Sequence, residues 1–258
     1  MGLLDSKKHV LGPFMKISDP ALVEISAFAG FDFVIIDLEH GPNNFQTIQG
    51  HIRAAQAKNI VPVVRVPEIN ENMISKALDI GAAYVQVPQI ENAEDAKRVV
   101  KAAKFYPEGA RGVCRYVRAA NYTAMPKEDY FSSANKNTGV IIHIEGNIAF
   151  NNIDEILKVD GVDVIFIGPY DMSQSCGVPG QVNHPSVISK MKDIVEKANA
   201  KGVVVGTFVE SASSAKQWMD LGVQYISYAV DVGIYYDACK SIVDEVNTYA
   251  ENTFLKSS

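Results

Sequence analysis

The sequence predicts a closed barrel of eight parallel strands with surrounding helices, a (β/α)8 TIM barrel. Short apolar segments of strand composition alternate with helical patterns along the chain. Five helical patterns end at a glycine immediately before a strand, at Gly30, Gly81, Gly161, Gly202 and Gly222. Glycine is favoured there because it adopts the left-handed conformation without a steric penalty. The length of 258 residues matches the roughly 250 residues typical of this fold.

Each of the eight predicted strands is a nearly continuous apolar segment. Such strands are typical of parallel sheets that are covered on both faces. The predicted ranges are 10–17, 33–38, 61–66, 83–87, 140–145, 163–168, 203–208 and 224–229. Helical patterns lie between them, and Asn92 is the predicted N-cap of one helix. Residues 106–139 show no clear strand, and we expect residues 1–258 to form a single barrel domain.

Charge and composition argue against several classes of partner. The net charge of −6 is opposite to the basic excess of a nucleic-acid-binding protein, so no nucleic-acid partner is expected. No apolar run approaches the roughly 18 residues of a membrane span, so no membrane association is expected. Gly2 and Ser6 match a loose myristoylation pattern that is too short to change this expectation. Three widely separated cysteines fit the reducing cytoplasm.

Polar side chains follow five of the predicted strands, at the end of the barrel where chemistry takes place in this fold. Placing so many polar groups at the end of an apolar barrel costs free energy, so we expect them to serve a function. They are Asp37, Glu39 and His40 after the second strand, Arg65 in the third, Gln86 and Gln89 in the fourth, His143 and Glu145 in the fifth, and Asp171 after the sixth. The sequence therefore predicts an active site at this end.

Glu145 and Asp171 follow consecutive strands, so their carboxylates can converge on one point. Two carboxylates together with water and substrate oxygens suit Mg²⁺ or Mn²⁺, which are hard cations. Asp171 has an alternative role, because it precedes a helical segment and could cap it.

His40 follows Asp37 by three residues in a turn. An Asp–His couple is a common acid/base unit, because the carboxylate fixes the tautomer of the imidazole. The alternative is an ordinary histidine in a surface turn. Arg65 lies within the buried segment VVRVP, and a buried arginine has to find an anion.

Lys16 and three arginines leave further alternatives open. Lys16, near the end of the first strand, could form a Schiff base with a carbonyl substrate, or it is an exposed lysine. Arg111, Arg115 and Arg118 could bind a second carboxylate of a substrate, or they hold a subunit contact or a helix end.

As an ordered set, several segments resemble the HpcH/HpaI aldolase family, the class II, metal-dependent pyruvate aldolases. The similarity extends from about Gly12 to Ala229. The segments are FDFVIIDLEHGPNN, VVRVP, ALDIGAAYVQVPQIENAEDAKRVV, PEGARG, IEGNIAFNNIDEIL and GVDVIFIGPYDMSQSCGVPG. The resemblance implies a barrel and a homo-hexamer, a dimer of trimers, in which the last helix is often exchanged between subunits.

The resemblance also implies residue roles. Glu145 and Asp171 would bind Mg²⁺, Mn²⁺ or Co²⁺, Arg65 would face the substrate oxyanion, and His40 with Asp37 would serve the acid/base step. The expected reaction is cleavage of a 4-hydroxy-2-oxo acid to pyruvate and an aldehyde. Two alternatives stay open: a lyase that uses a CoA thioester, as in the citrate lyase β-subunit family, or a barrel that binds a 2-oxo acid without catalysis.

Two positions differ from the family pattern. His143 stands where the family often has Gln, and Tyr170 stands where it usually has a small residue. His143 and Tyr170, like Arg65 and Asp171, are expected to contact the substrate. The backbone N–H groups of Tyr170 and Asp171 are expected to hold its carboxylate. Tyr170 either fills space beside the methyl group of pyruvate or turns outward and lines the aldehyde channel.

Overall fold

The computed structural model describes residues 3–4 and 7–254 and forms a closed barrel of eight parallel strands. Each strand pairs with its neighbours in sequence, and β1 pairs with β8 to close the sheet. The strands are β1 (Val10–Met15), β2 (Phe33–Asp37), β3 (Val61–Arg65), β4 (Tyr84–Val87), β5 (Gly139–Ile144), β6 (Val164–Ile167), β7 (Val204–Val209) and β8 (Tyr225–Val230). All eight predicted strands are confirmed, with boundaries that differ by no more than two residues.

Helices surround the barrel, and local sequence signals begin and end many of them. The Asn92 side chain caps its helix by accepting hydrogen bonds from the N–H groups of Glu94 and Asp95, as predicted. Gly30 ends the first helix in the left-handed region, with φ 97°. The helices are α1 (Ala21–Ala29), α2 (Phe45–Ala57), α3 (Glu71–Asp79), α4 (Ala93–Ala103), α5 (Lys127–Asn137), α6 (Asn147–Asn151), α7 (Ile153–Ile156), α8 (Pro169–Ser175), α9 (Pro185–Ala200), α10 (Ala212–Asp220) and α11 (Asp231–Phe254).

The core has two layers, one between strands and helices and one inside the barrel. The inner layer is rich in aromatic side chains. Phe33 stacks on Tyr225 with ring centroids 4.1 Å apart, and Phe166 lies edge-on to Tyr225 at 6.0 Å. This packing fills the barrel interior below the site and leaves its upper end for polar groups.

Residues 106–138 contain no strand, and β5 begins at Gly139; the region forms a 3₁₀ segment, Arg118–Thr123, and helix α5. The three arginines of this region contact groups of their own chain. Arg111 forms an ion pair with Asp79 at 2.5 Å. Arg118 donates to the Gln56 side chain and the Ile80 carbonyl, and Arg115 donates to the carbonyls of Thr123 and Met125. These contacts stabilise a long connection between β4 and β5.

Asp231, the first residue of α11, ties the end of β1 to the end of β8. Its carboxylate accepts hydrogen bonds from the backbone N–H groups of Lys16, at 3.0 Å, and of Ile17, at 2.8 Å. Within the described residues no helix has the length and hydropathy needed to cross a membrane. Gly2 and Ser6, the residues of the myristoylation pattern, lie outside the described residues.

Candidate active site

Alternation along the strands explains why polar residues converge at the carboxyl-terminal end of the barrel, here called the mouth. Side chains of a strand alternate between its two faces. Apolar residues such as Ile35, Val63 and Ile141 fill the interior, and the next inward position on each of those strands is Asp37, Arg65 or His143. Along each of these strands, the last apolar inward-facing residue is therefore followed two positions later by a polar residue of the site.

A cavity of about 370 Å³ opens at the mouth. It brings together six of the seven residues predicted for the site and the alternative Lys16; Asp37 lies behind it, in the barrel wall. The lining residues are Phe14, Lys16, His40, Arg65, His143, Glu145, Phe166, Gly168, Pro169, Tyr170, Asp171, Phe208, Glu210 and Val230. Acid, base and cation thus share one open cavity.

Arg65 is held by two carboxylates on β2 and the loop that follows it. Its Nε donates to Asp37 Oδ1 at 2.9 Å, and its Nη2 donates to Asp37 Oδ2 at 2.7 Å. Its Nη1 lies 2.8 Å from Glu39 Oε2. The guanidinium also lies over the Phe14 ring, 4.5 Å from the centroid. Four contacts fix the cation in one orientation at the wall of the cavity.

The expected Asp37–His40 couple is not formed, and this corrects the sequence prediction. The two oxygens of Asp37 bind Arg65 and the backbone N–H groups of Glu39 and His40. Burial alone would raise the pKa of Asp37, but Arg65 and these N–H groups outweigh it and hold the pKa below the ordinary value. The Asp37 carboxylate binds Arg65 because a guanidinium donates two parallel, charge-assisted hydrogen bonds.

His40 lies on the loop after β2 and is largely exposed at the edge of the cavity. Its Nε2 lies 3.8 Å from Glu39 Oε2. The ring can therefore reach both solvent and the cavity, a position that suits exchange of protons with water.

Glu145 is fixed by one donor on each oxygen. The backbone N–H of Gln89 donates to Oε1 at 2.7 Å, and His143 Nδ1 lies 2.9 Å from Oε2. Burial alone would raise the pKa of Glu145, but His143, the Gln89 N–H and Arg65 together hold it below the ordinary value. Gly168 leaves the room that this carboxylate occupies, since a Cβ there would lie 2.8 Å from Oε2.

Asp171 lies in the first turn of α8 and lines the same cavity. Gly168 is the N-cap of that helix, so Asp171 is not its cap, and that alternative for Asp171 is wrong. Burial and the negative charge of Glu145 raise the pKa of Asp171. The two carboxylates are therefore close enough to repel each other.

The two residues that differ from the family pattern take up distinct positions. His143 is buried at the base of the cavity and stacks on Phe166, with ring centroids 4.7 Å apart. Tyr170 turns outward, and its hydroxyl donates to Glu210 Oε2 at 2.8 Å. Burial and Glu210 raise the pKa of Tyr170 to about 12. Of the two orientations expected for Tyr170, the structure has the outward one.

Sequence reasoning missed the aromatic wall and one acid of the cavity. Phe14, Phe166 and Phe208 line it, and Glu210 follows β7 directly. The alternation of inward residues on β1, β6 and β7 was a usable signal for the three rings. Glu210 had the same signal as Asp37, a carboxylate at a strand end.

The fold and the site define a barrel enzyme, with a cation, two close carboxylates and two imidazoles at the mouth. The profile of the HpcH/HpaI aldolase/citrate lyase family matches residues 11–238. The chain belongs to this family, as the sequence predicted.

Several curated relatives are named aldolases. A 5-keto-4-deoxy-D-glucarate aldolase from Enterobacter sp. (strain 638) is 34% identical over 241 residues, which cover 93% of each chain. The protein of the same name from Salmonella arizonae is 32% identical over the same share of both chains.

Solved structures of other proteins share this fold, and one of them is named for a different activity. A family member from Burkholderia cenocepacia J2315 has a TM-score of 0.90 and 31% identity, covering 95% of this chain and 97% of its own. A structure named citrate synthase SbnG has a TM-score of 0.86 and 33% identity, covering 94% and 95%.

Proposed function

We propose that this chain is a divalent-metal-dependent lyase that cleaves a 4-hydroxy-2-oxo acid to pyruvate and an aldehyde. The meeting of Arg65, His40, Glu145 and Asp171 on one cavity carries the proposal. Together they offer a cation for a developing oxyanion, oxygen ligands for a metal and a group that moves protons. The aldolase names of the curated relatives support the same chemistry.

Glu145 and Asp171 fit a divalent cation. Both offer hard oxygen ligands. Burial and the repulsion from Glu145 together raise the pKa of Asp171, and a cation between the two carboxylates would relieve the repulsion. Each oxygen of Glu145 receives only one hydrogen bond, so lone pairs remain for a metal. A bound Mg²⁺, Mn²⁺ or Co²⁺ ion would supply a Lewis acid for the 2-oxo group of the substrate.

Arg65 stabilises the negative charge that develops on the 2-oxo oxygen as the bond between C3 and C4 breaks. Its charge is pre-oriented by Asp37 and Glu39, so little reorganisation is needed during the reaction. Asp37 then acts as a positioning residue for Arg65 rather than as a partner of His40. The first-turn N–H groups of Tyr170 and Asp171 lack acceptors within α8 and hold the substrate carboxylate, next to the His143 ring.

His40 takes the proton of the C4 hydroxyl as the aldehyde carbonyl forms. The electron pair of the broken bond passes to the 2-oxo group as an enolate, and protonation of C3 gives pyruvate, so the cleavage has no net proton uptake. Exposure of His40 lets it return to its starting state by exchange with water.

The substrate class follows from the relatives and the cavity. The name of the relatives' substrate describes a deoxy keto acid with two terminal carboxylates. Lys16 lines the cavity and provides a cation for a second carboxylate, on the aldehyde half. A 4-hydroxy-2-oxo diacid is therefore the first substrate to test.

A CoA-thioester reaction is the second candidate, because the citrate synthase structure is as similar in sequence as the aldolases. In that case the same Arg65, Glu145 and Asp171 would bind a 2-oxo acid, and the carbon nucleophile would come from the thioester. Thiol release from acetyl-CoA with oxaloacetate tests it directly.

Assembly and location are further proposals. The long helix α11 exposes Tyr235, Tyr236, Val243 and Val246, an apolar face that fits exchange of this helix within a homo-hexamer, a dimer of trimers. Light scattering of the full chain tests this, and a Val243→Asp variant is expected to dissociate. Three cysteines without disulfides support a cytoplasmic location. We propose a single domain, with no nucleic-acid partner because the net charge is −6.

The test of the function is pyruvate release from a panel of 4-hydroxy-2-oxo acids, with and without EDTA. Activity is expected to disappear with EDTA and to return with Mg²⁺, Mn²⁺ or Co²⁺. Glu145→Gln is expected to weaken Mn²⁺ binding, because an amide is a weaker ligand, while Glu196→Gln on α9 serves as the control. Full activity after exhaustive chelation would contradict the proposal. Borohydride trapping of pyruvate on Lys16 would then establish the Schiff-base route, and turnover of no substrate would favour a non-catalytic barrel.

A further inference from the structure

A chain of hydrogen bonds crosses the barrel interior and ends on Glu145. The Tyr225 hydroxyl on β8 donates to Gln86 Oε1 on β4 at 3.2 Å. Gln86 Nε2 lies 2.7 Å from His143 Nε2 on β5, and His143 Nδ1 lies 2.9 Å from Glu145 Oε2. Tyr225, Gln86 and His143 are buried to 99% or more, so these groups depend on one another for hydrogen bonds.

The chemistry of the groups gives this chain a single direction. An ionised carboxylate only accepts, so His143 Nδ1 has to carry the proton that reaches Glu145. In the neutral ring Nε2 is then an acceptor, and the amide nitrogen of Gln86, which only donates, matches it. Oε1 of Gln86 consequently faces Tyr225. Burial raises the pKa of Tyr225 well above its ordinary value, so its hydroxyl keeps the proton that it donates.

The opposite tautomer of His143 would set donor against donor at Nε2 and acceptor against acceptor at Nδ1. A proton on Nε2 would face the Gln86 amide protons, and an unprotonated Nδ1 would face the Glu145 carboxylate. A 180° flip of the His143 ring would keep its stack on Phe166, but it would place ring carbons at both contacts and would lose both hydrogen bonds. Glu145 would have to turn away from its present position.

We propose that Gln86 and Tyr225 are positioning residues: they fix His143 as the Nδ1–H tautomer and thereby fix the carboxylate of Glu145. The inference rests on the proposed function, in which Glu145 binds the metal. Partners outside the ligand shell commonly orient metal ligands in this way. Here the outer partners lie deep in the barrel: Gln86 is on β4, the neighbour of β5, and Tyr225 is on β8, across the barrel interior.

The first experiment reads the tautomer without using activity. The chain has five histidines, so ¹⁵N-histidine labelling gives a small set of ring signals, and His143→Gln assigns the relevant pair. In the metal-free enzyme we expect a pyrrole-type shift at Nδ1 and a pyridine-type shift at Nε2. A protonated Nε2 in the wild type, in either charge state, would overturn the proposal.

Variants of the chain separate positioning from simple packing. Gln86→Met keeps the shape but removes both hydrogen bonds, and His143 is expected to become a mixture of tautomers. Gln86→Glu offers only acceptors and is expected to move a proton to Nε2. Tyr225→Phe tests the first link and is expected to give a partial mixture. Tyr130→Phe, at a buried phenol in a separate cluster, is the control and is expected to leave His143 unchanged. Identical His143 spectra in all variants would overturn the proposal.

Mn²⁺ affinity then tests the consequence for Glu145. Gln86→Met is expected to weaken Mn²⁺ binding by about 10–100-fold, the usual effect of losing an outer partner of a metal ligand, and Tyr130→Phe is expected to bind like the wild type. Equal affinity of Gln86→Met and the wild type would overturn the positioning role. Failure of the wild type to bind Mn²⁺ would instead overturn the proposed function, while the tautomer result would stand by itself.

Discussion

The guanidinium of Arg65 and the carboxylate of Asp37 form two parallel hydrogen bonds, of 2.9 and 2.7 Å, inside the wall of the barrel. Asp37 is completely buried and Arg65 is 11% exposed at its side chain. A planar fork on a planar carboxylate fixes direction as well as distance. The third donor group of Arg65 binds Glu39, so the cation has little freedom to leave the cavity wall.

Replacing Asp37 with Asn is expected to lower activity through Arg65. The amide keeps one acceptor but loses the charge, so Arg65 loses half of its fork and its main counter-ion. We expect a fall in kcat/KM with a rise in KM for the 2-oxo acid, and a loss of about 3 kcal/mol in the free energy of unfolding. Steady-state kinetics and urea unfolding measure these effects. Glu71→Gln breaks an exposed ion pair with Arg98 and is expected to leave both quantities nearly unchanged.

The same carboxylate predicts an acid-dependent part of the stability. Asp37 has a pKa below the ordinary 3.8 in the folded chain, so it binds a proton less readily folded than unfolded. Its contribution is complete above the unfolded pKa and is lost as the pH falls through the folded pKa. The difference in unfolding free energy between wild type and Asp37→Asn is expected to be constant from about pH 5 to 7 and to shrink below about pH 4. A difference that grows toward low pH would contradict the assignment.

Removing the imidazole of His40 is expected to separate proton transfer from binding. His40→Ala is expected to keep Mn²⁺ and pyruvate binding and to slow cleavage by about 10²–10⁴-fold, the usual contribution of a general acid or base. Binding is followed by calorimetry and cleavage by pyruvate release. His9→Ala, on an exposed residue before β1, is the matched control. Wild-type kinetics in His40→Ala would identify His40 as an ordinary turn residue.

Tyr170 is expected to control substrate range through its bond to Glu210. The outward ring, held by the 2.8 Å hydrogen bond, occupies the edge of the cavity where an aldehyde would enter. Tyr170→Ala is expected to broaden the range of aldehydes accepted in the synthetic direction, and Tyr170→Phe to keep the size limit while loosening the ring. A panel of aldehydes of increasing length measures this. Identical ranges for both variants and the wild type would show that the residue is neutral.

The barrel could be predicted from sequence because its signals are local and repeated. Glycine after a helix and an apolar run after glycine give the order of elements, and parallel pairing then follows from their alternation. The site could be predicted in part for the same reason, since Arg65 and Glu145 are polar residues in otherwise apolar strands. Boundaries shifted by one or two residues because strand ends carry little sequence signal.

Partners of the side chains could not be predicted, because they depend on register between strands. Asp37 lies opposite Arg65 in the β2–β3 pairing. Its carboxylate therefore binds Arg65 and not the side chain of His40, which is nearer in sequence. Gln86 and His143 likewise meet only because β4 and β5 are adjacent. Sequence separation gives no measure of these contacts, and geometry settles the competition of Arg65 and His40 for the Asp37 carboxylate.

The hydrogen bonds of Asp231 couple the end of β1 to the start of α11, so local opening of that helix can be measured at β1. The carboxylate that binds the N–H groups of Lys16 and Ile17 belongs to α11, whereas the lysine belongs to the cavity wall. Fraying that starts in the last helix and reaches Asp231 frees those two amides before any other strand has to separate. The hydrogen-exchange rates of these two amides therefore report how often the terminal helix detaches. This side of the cavity cannot be more stable against local opening than the contact of α11 with the end of β1.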